Sequence, residues 1–431
     1  MITAQDIALD RAVPASAPAA PARTAALSER LLLVVLYITV LASSVAFIEP
    51  SPHDALMGVL ALTCLIAGVR FERHIALLFL LLLVWNFGGL LSLLNVPGKE
   101  QTVQYAGTSL YLAVAAVLFA SLFAHNTMAR IATVRAAYIL TATVISLAGI
   151  AGYFSLFPHA HDLFATYDRA LGAFKDPNVF GPFLIWPALV VLERILARRV
   201  RLTDIPVAGI LLCAFLLSFS RGAWFHFAVS CVIMIALAFL TAETDRARLR
   251  IFAMSAIGLA VLAAFIAILL SFGSISSMFQ ERAQLIQSYD VGSGGRFRLQ
   301  ELALSALLQF PNGMGPFEFS RVHGLQQHNV YLQAFLVYGW AGGIAYITLL
   351  GATLLTALRT VFVPTPWQPY LICALATFIG EMVEGFVIDT DHWRHFFLLL
   401  GMIWGLAAAT INYGRGHHRP PPAERRAHVG A

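Results

Sequence analysis

The chain has 431 residues, 59% of them apolar and only 12% charged, with a mean hydropathy of +0.77. A water-soluble domain carries about a quarter of its residues as charge, so that class is excluded. The formal charge of +5 is too small to argue for a nucleic-acid partner, and where the charges lie matters more than their sum.

Apolar runs near or above about 18 residues recur, the length a helix needs to cross roughly 30 Å of hydrocarbon. The alternating strands of a lipid-facing barrel are absent, so helices must satisfy the backbone. The sequence therefore predicts an all-α polytopic membrane protein. Residues 1–29, with the Ala/Pro-rich AVPASAPAAPA, read as a disordered cytoplasmic segment. A cleaved signal peptide is the rival reading there, and the length and late start of the first apolar run argue against it. Twelve spans follow at 30–48, 55–69, 75–96, 104–124, 134–157, 178–196, 204–219, 222–241, 251–271, 329–357, 367–388 and 396–412. The first nine fill 30–271, a large loop occupies 272–328, the last three lie within 329–412, and 413–431 form a basic, disordered cytoplasmic tail. The four cysteines (Cys64, Cys213, Cys231, Cys373) fall inside apolar runs, at spacings that suggest neither a metal site nor a disulfide framework.

With the N-terminus inside, 19 of the 28 Lys and Arg lie in inner segments, so both termini are predicted to be cytoplasmic. The outer cations are Lys99, Arg169, Lys175, Arg221, Arg282, Arg296, Arg298, Arg321 and Arg394. Lys175, Arg221, Arg296, Arg298 and Arg321 lie close to Gly, Pro, Asn or His, and outer polarity concentrates in 158–177, the 220–222 turn and the 272–328 loop. Within that loop Ile275, Met278, Phe279, Leu285, Ile286 and Tyr289 mark one apolar helix face. Leu299, Leu302, Leu304, Leu307 and Leu308 mark a second short amphipathic helix, with GSGGR bending the chain between them.

Taken along the chain, KDPNVFGP (175–182) places Asp176 and Pro177 at a helix start, which explains most of the motif, and Lys175 could still meet an anion. SFSRGAW (218–224) joins two spans with almost no loop and puts Arg221 at the outer boundary, beside the N–H groups of the next helix start. That combination is a seat for an anion; the plainer alternative is an Arg snorkelling to lipid headgroups. GGRFR (294–298) offers Arg296 after two glycines, and two arginines from different loops can hold the two groups of a diphosphate bidentately. QQHNVYLQ (326–333) places His328 at the start of the tenth span, where the positive helix end favours a neutral imidazole fit to act as a base. Asn329 is its N-cap or orienting partner, and Gly313 and Gly315 of PNGMGPFEF supply a tight turn aimed at the same place. Glu381 and Glu384 lie inside the eleventh span, ahead of IDTDHWRH (388–395) with His392, Arg394 and His395. Carboxylates within a span are functional suspects, and an internal salt bridge with Arg221 or Arg394 is the structural alternative. No nucleotide-binding glycine loop, nucleophile elbow, zinc or haem signature occurs.

Read together, these pieces resemble the O-antigen ligase and polymerase superfamily of bacterial membrane glycosyltransferases. SFSRGAW resembles that family's Ser-x-Ser-Arg-Gly turn, and GGRFRLQELAL followed by FPNGMGPFEF resembles its outer-loop Gly-Arg helix and Gly-x-Gly-Pro. His328-Asn329, nine residues, then Gly339 and Gly342 match its His-Asn-x9-Gly-x-x-Gly signature. One departure is Gln300, which stands where many members carry Trp, four residues after the Arg. The resemblance covers most of spans six to twelve, and the first five match in hydropathy only. It implies a metal-independent, inverting transferase of GT-C-like architecture, without cofactor, acting at the periplasmic face of the bacterial inner membrane. By carry-over Arg221 and Arg296 bind the diphosphate of an undecaprenyl-diphosphate-linked glycan, and His328 activates the acceptor hydroxyl. Lys175, Asn329, Arg298, Glu381, Glu384, His392 and Arg394 are supporting candidates. Dominance of one outer loop favours a ligase, which passes the glycan to lipid A core, over a polymerase joining lipid-linked repeat units. A twelve-span transporter is the reading from another class, but its paired halves and midplane polar sites are not visible.

Overall fold

In the computed structural model, residues 20–48, 50–96, 100–197, 200–282, 284 and 295–417 are described. The helices are α1 (Ala20–Ala42), α2 (Pro52–Ile66), α3 (Ala76–Ser92), α4 (Glu100–Ala124), α5 (Thr127–Tyr153), α6 (Ala160–Phe164), α7 (Pro177–Phe183), α8 (Ile185–Leu196) and α9 (Asp204–Leu217). They continue as α10 (Arg221–Thr241), α11 (Asp245–Leu270), α12 (Gly273–Arg282), α13 (Arg296–Gln309), α14 (Glu318–His323), α15 (Val330–Thr360), α16 (Gln368–Glu384) and α17 (Arg394–His417). A two-residue hairpin, β1 (Ala165–Thr166) and β2 (Arg169–Ala170), lies between α6 and α7.

Each apolar span expected from the sequence falls on a helix, and among the described residues eight helical stretches are long and apolar enough to cross a membrane. The helices α2 and α9 are apolar but shorter. The chain is an all-α polytopic membrane protein. On α11 Phe252, Ile257, Leu259, Val261 and Ile268 are all exposed, a surface water would not tolerate at that extent but lipid would. At the other extreme α17 is buried on nearly every side.

Close helix crossings depend on missing side chains. A Cβ added to Gly401 of α17 would lie 2.7 Å from the Ala116 carbonyl of α4, and one on Gly405 would lie 2.5 Å from the Ala120 carbonyl. This small-xxx-small spacing lets two backbones touch where lipid offers no hydrophobic drive for association.

Several expected boundaries move. The first helix begins at Ala20, inside the segment expected to be disordered, and α17 runs to His417, into the expected tail. Residues 1–19 and 418–431, the remainder of those two segments, lie outside the described residues. The sixth span, expected as one helix over 178–196, is broken at Leu184 into α7 and α8. Pro187 has no N–H for the Phe183 carbonyl, and that oxygen instead accepts the Tyr138 hydroxyl at 3.0 Å.

In the large loop α12 and α13 take the two expected short helices; Leu285, Ile286, Tyr289 and most of GSGGR lie outside the described residues. The α13 face differs from expectation. Leu299, Ala303 and Ala306 pack on Leu336 of α15, while Leu304 and Leu308 remain exposed.

Candidate functional site

Four helices start in one neighbourhood, and the candidate residues sit at those starts. Asp176 caps α7, its carboxylate accepting from the Asn178 N–H at 2.8 Å. Ser220 caps α10, so Arg221 is its first residue; Gly295 precedes α13, so Arg296 is its first residue. Asn329 caps α15, its side-chain oxygen accepting from the N–H groups of Tyr331 and Leu332 at 3.1 Å each. Asn329 also donates to the Phe386 carbonyl, and Val330 N–H donates to the Gly385 carbonyl, which joins the start of α15 to the end of α16. A Cβ on Gly222 would lie 2.9 Å from Glu384 Oε1, so the α10 start abuts that same end of α16. Gln300 of α13 completes the ring, donating to the Phe386 carbonyl at 3.2 Å and lying 3.5 Å from the His328 carbonyl.

His328 stands just outside this ring of helix starts. Its φ of +49° is a left-handed conformation that a non-glycine residue holds only where its surroundings enforce it. The side chain is 46% exposed, and its Nδ1 faces Asp389 Oδ2 at 3.7 Å. Partial burial, and then the positive charge of Arg296, push the imidazole below its ordinary range; Asp176 opposes them. Burial and the neighbouring Asp391 push the Asp389 carboxyl up to about 7, against the opposing pull of Asn329 and Arg296. Asp389 Oδ1 has no hydrogen-bond partner in the protein. Arg296, His328, Asp176 and Asp389 therefore share one electrostatic neighbourhood. Arg221 donates through Nη1 to the Gln284 carbonyl at 2.8 Å.

The glycines of the outer-loop motif lock into α15. Gly313 and Gly315 take φ of +80° and +96°, and Gly339 breaks α15 at φ +66°. The Met314 N–H donates to the Leu336 carbonyl at 2.6 Å, and the Trp340 N–H to the Pro311 carbonyl at 2.8 Å. The loop thus takes up hydrogen bonds that the broken helix leaves open.

Other candidates serve different ends. Glu384 does not bridge to Arg221 or Arg394: it pairs with fully buried His226 at 2.8 Å, and His226 Nε2 lies 2.9 Å from the Thr377 carbonyl. Arg394 instead holds Asp54 of α2 through two bonds of 3.1 and 2.9 Å. Glu381 is buried, with His395 Nε2 at 3.9 Å, and His395 is itself 5% exposed and sealed beside Phe183 and Trp393. Arg298 pairs along its own helix with Glu301. His392 joins a buried network: Asp391 Oδ2 lies 3.2 Å from His392 Nδ1 and accepts from Tyr105 at 2.7 Å and Tyr338 at 3.3 Å. Burial raises the Asp391 carboxyl, but His392 and the two hydroxyls outweigh it and hold the group below its usual range. Lys175 is exposed in the segment leading to Asp176. Among the described residues no group of three or more His, Cys, Asp and Glu is placed to hold a metal.

Residues 206–347 match the family model described as O-antigen ligase. This segment is similar to the O-antigen ligase family. It spans Arg221, Arg296, His328, Asn329 and the Gly339 break, so the motif resemblance in the sequence and the match fall on the same residues. No curated protein matches the chain. Two residues of the site neighbourhood, Asp176 and Asp389, lie outside the matched segment. Asp389 was not singled out in the sequence. Its signal was only that IDTDHWRH is a polar stretch between two apolar runs.

Proposed function

We propose that this membrane protein is a glycosyltransferase of the ligase type, moving a glycan from undecaprenyl diphosphate to a saccharide acceptor hydroxyl. The supporting observation is the placement of Arg221 and Arg296 as the first residues of two helices, with Arg296 close enough to act on both His328 and Asp389. A helix start repels a cation by about 0.3–1 kcal/mol, so two arginines there make sense when an anion lies between them. The positive ends of α10 and α13 add to the same attraction for an anion.

The chemistry follows from the atoms. The acceptor hydroxyl gives its proton to His328 Nε2, while Nδ1–H faces Asp389. The freed oxygen attacks the anomeric carbon, the bond to the diphosphate breaks, and configuration inverts in one displacement. Asp389 stabilises the imidazolium that forms, its 3.7 Å separation shortening as charge develops. Arg221 and Arg296 take up the charge that builds on the leaving diphosphate, and Lys175 is close enough in sequence to Asp176 to join them. In this reading the twelve spans place both termini in the cytoplasm and the site at the periplasmic face of the inner membrane. One dominant outer loop favours lipid A core over a growing polymer as acceptor.

The test is transfer in vitro by purified protein from an undecaprenyl-diphosphate glycan onto lipid A core. Product formation with release of undecaprenyl diphosphate is expected. Extension of lipid-linked repeat units without transfer to core would make the protein a polymerase, and no transfer to either acceptor would sink the reading.

A further inference from the structure

The turn that carries Arg221 is held from outside its own segment. Phe219 sits at φ +47°, again a left-handed backbone imposed on a bulky residue. The peptide just before it is gripped by Arg169, which is buried at 8% exposure on β2. Arg169 Nε donates to the Ser218 carbonyl at 2.7 Å, and its Nη2 donates to Asn178 Oδ1 at 2.7 Å. Asn178 belongs to the first turn of α7, two residues from Asp176. One guanidinium therefore ties the turn presenting Arg221 to the helix start that follows Lys175. The two elements also touch directly, since a Cβ on Gly181 would lie 2.8 Å from Ala223 Cβ. The hairpin supplies the register for Arg169: Tyr167 and Asp168 are both left-handed, the pattern of a tight two-residue turn. Lysine is no substitute, because a point charge lacks the fixed fork needed to reach two acceptors at once.

We propose that Arg169 is a positioning residue for the donor diphosphate, acting through the Ser218 carbonyl on Arg221 and through Asn178 on the α7 start. This rests on the reading that Arg221 binds the diphosphate. It predicts that loosening the bracket weakens use of the donor while leaving acceptor affinity alone.

The test uses the full chain in nanodiscs with an undecaprenyl-diphosphate glycan as donor, comparing R169K, N178A, N178D, R221K and the R169K/R221K pair. Hydrogen exchange of the 219–222 amides should rise in R169K and N178A, with exchange deep in α10 unchanged. In both variants kcat/KM for the donor should fall about tenfold at constant acceptor KM. N178D, which keeps an acceptor for the guanidinium, should recover most of the loss. Adding R169K to R221K should cost less than about twofold more, because both act on one group. Unchanged exchange in R169K, or full additivity of the two changes while R221K is impaired, overturns the proposal alone. Full activity of R221K removes Arg221 from the donor site and takes the proposal with it. Should R169K fail to fold, N178A and N178D carry the same comparison.

Discussion

Four side chains, His328, Asp389, Arg221 and Arg296, carry the proposed chemistry, and the first three each have a signature beyond loss of activity. His328→Ala should lower kcat by about 10²–10⁴-fold without changing the melting temperature, as expected for loss of a general base. An active, folded variant would exclude that role. His328 titrates below its ordinary range, so its neutral form persists through mildly acid pH; Asp389, raised to about 7, is ionised only above that point. The rate should therefore rise as pH increases through about 7, the Asp389 limb. Asp389→Asn should lower the plateau and shift the acid limb down to the titration of His328 itself. An unmoved limb would detach Asp389 from the mechanism. Arg221→Lys keeps the charge but loses the fork, and a fall in donor kcat/KM of about tenfold or more is expected. Of these groups the two arginines and the histidine were legible in the sequence, because each sits in a short motif with glycine or asparagine beside it. Asp389 was not, since its contact with His328 spans sixty-odd residues and depends on how α16 ends beside the start of α15.

At the level of elements, the sequence placed every helix that carries the site and missed how they are interrupted. Hydropathy reads run length, and a run stays apolar through Leu184, where the hydrogen-bond ladder is interrupted, and through Gly339, where the backbone leaves the helix. The glycine spacing in the His-Asn-x9-Gly-x-x-Gly pattern was visible, but its meaning was not. Gly339 is needed because its φ is +66° and because a Cβ there would lie 2.8 Å from the Pro311 carbonyl. Gly339→Ala should therefore cost about 1–3 kcal/mol from backbone strain alone, with the clash adding to it. A lowered melting temperature together with weaker protection of 311–315 in hydrogen exchange is expected. Normal stability would mean that the break is not enforced by that contact. Gly88 and Gly342 meet at the α3–α15 crossing, where a Cβ on Gly88 would lie 2.3 Å from the Tyr338 carbonyl, so these positions should resist even alanine.

For the whole molecule, composition alone gave the class, whereas the partners of charged side chains inside it could not be read from sequence. Arg394 looked like a site residue because it sits in a polar outer stretch. It instead fastens the start of α17 to α2 through Asp54, far away in sequence. Arg394→Ala should lose about 2 kcal/mol of stability, the scale of a charge-assisted pair. Transfer per folded molecule should stay near wild type, and a selective loss of kcat would restore Arg394 to the site. The threading of the 311–315 loop into the break of α15 also bears on engineering. A loop that supplies hydrogen bonds to a helix forms one heritable module with it. Chimeras exchanging only 272–328 between two proteins of this architecture should misassemble, whereas grafts extended through Gly342 should fold, carry their donor preference with them and leave the membrane scaffold to the host.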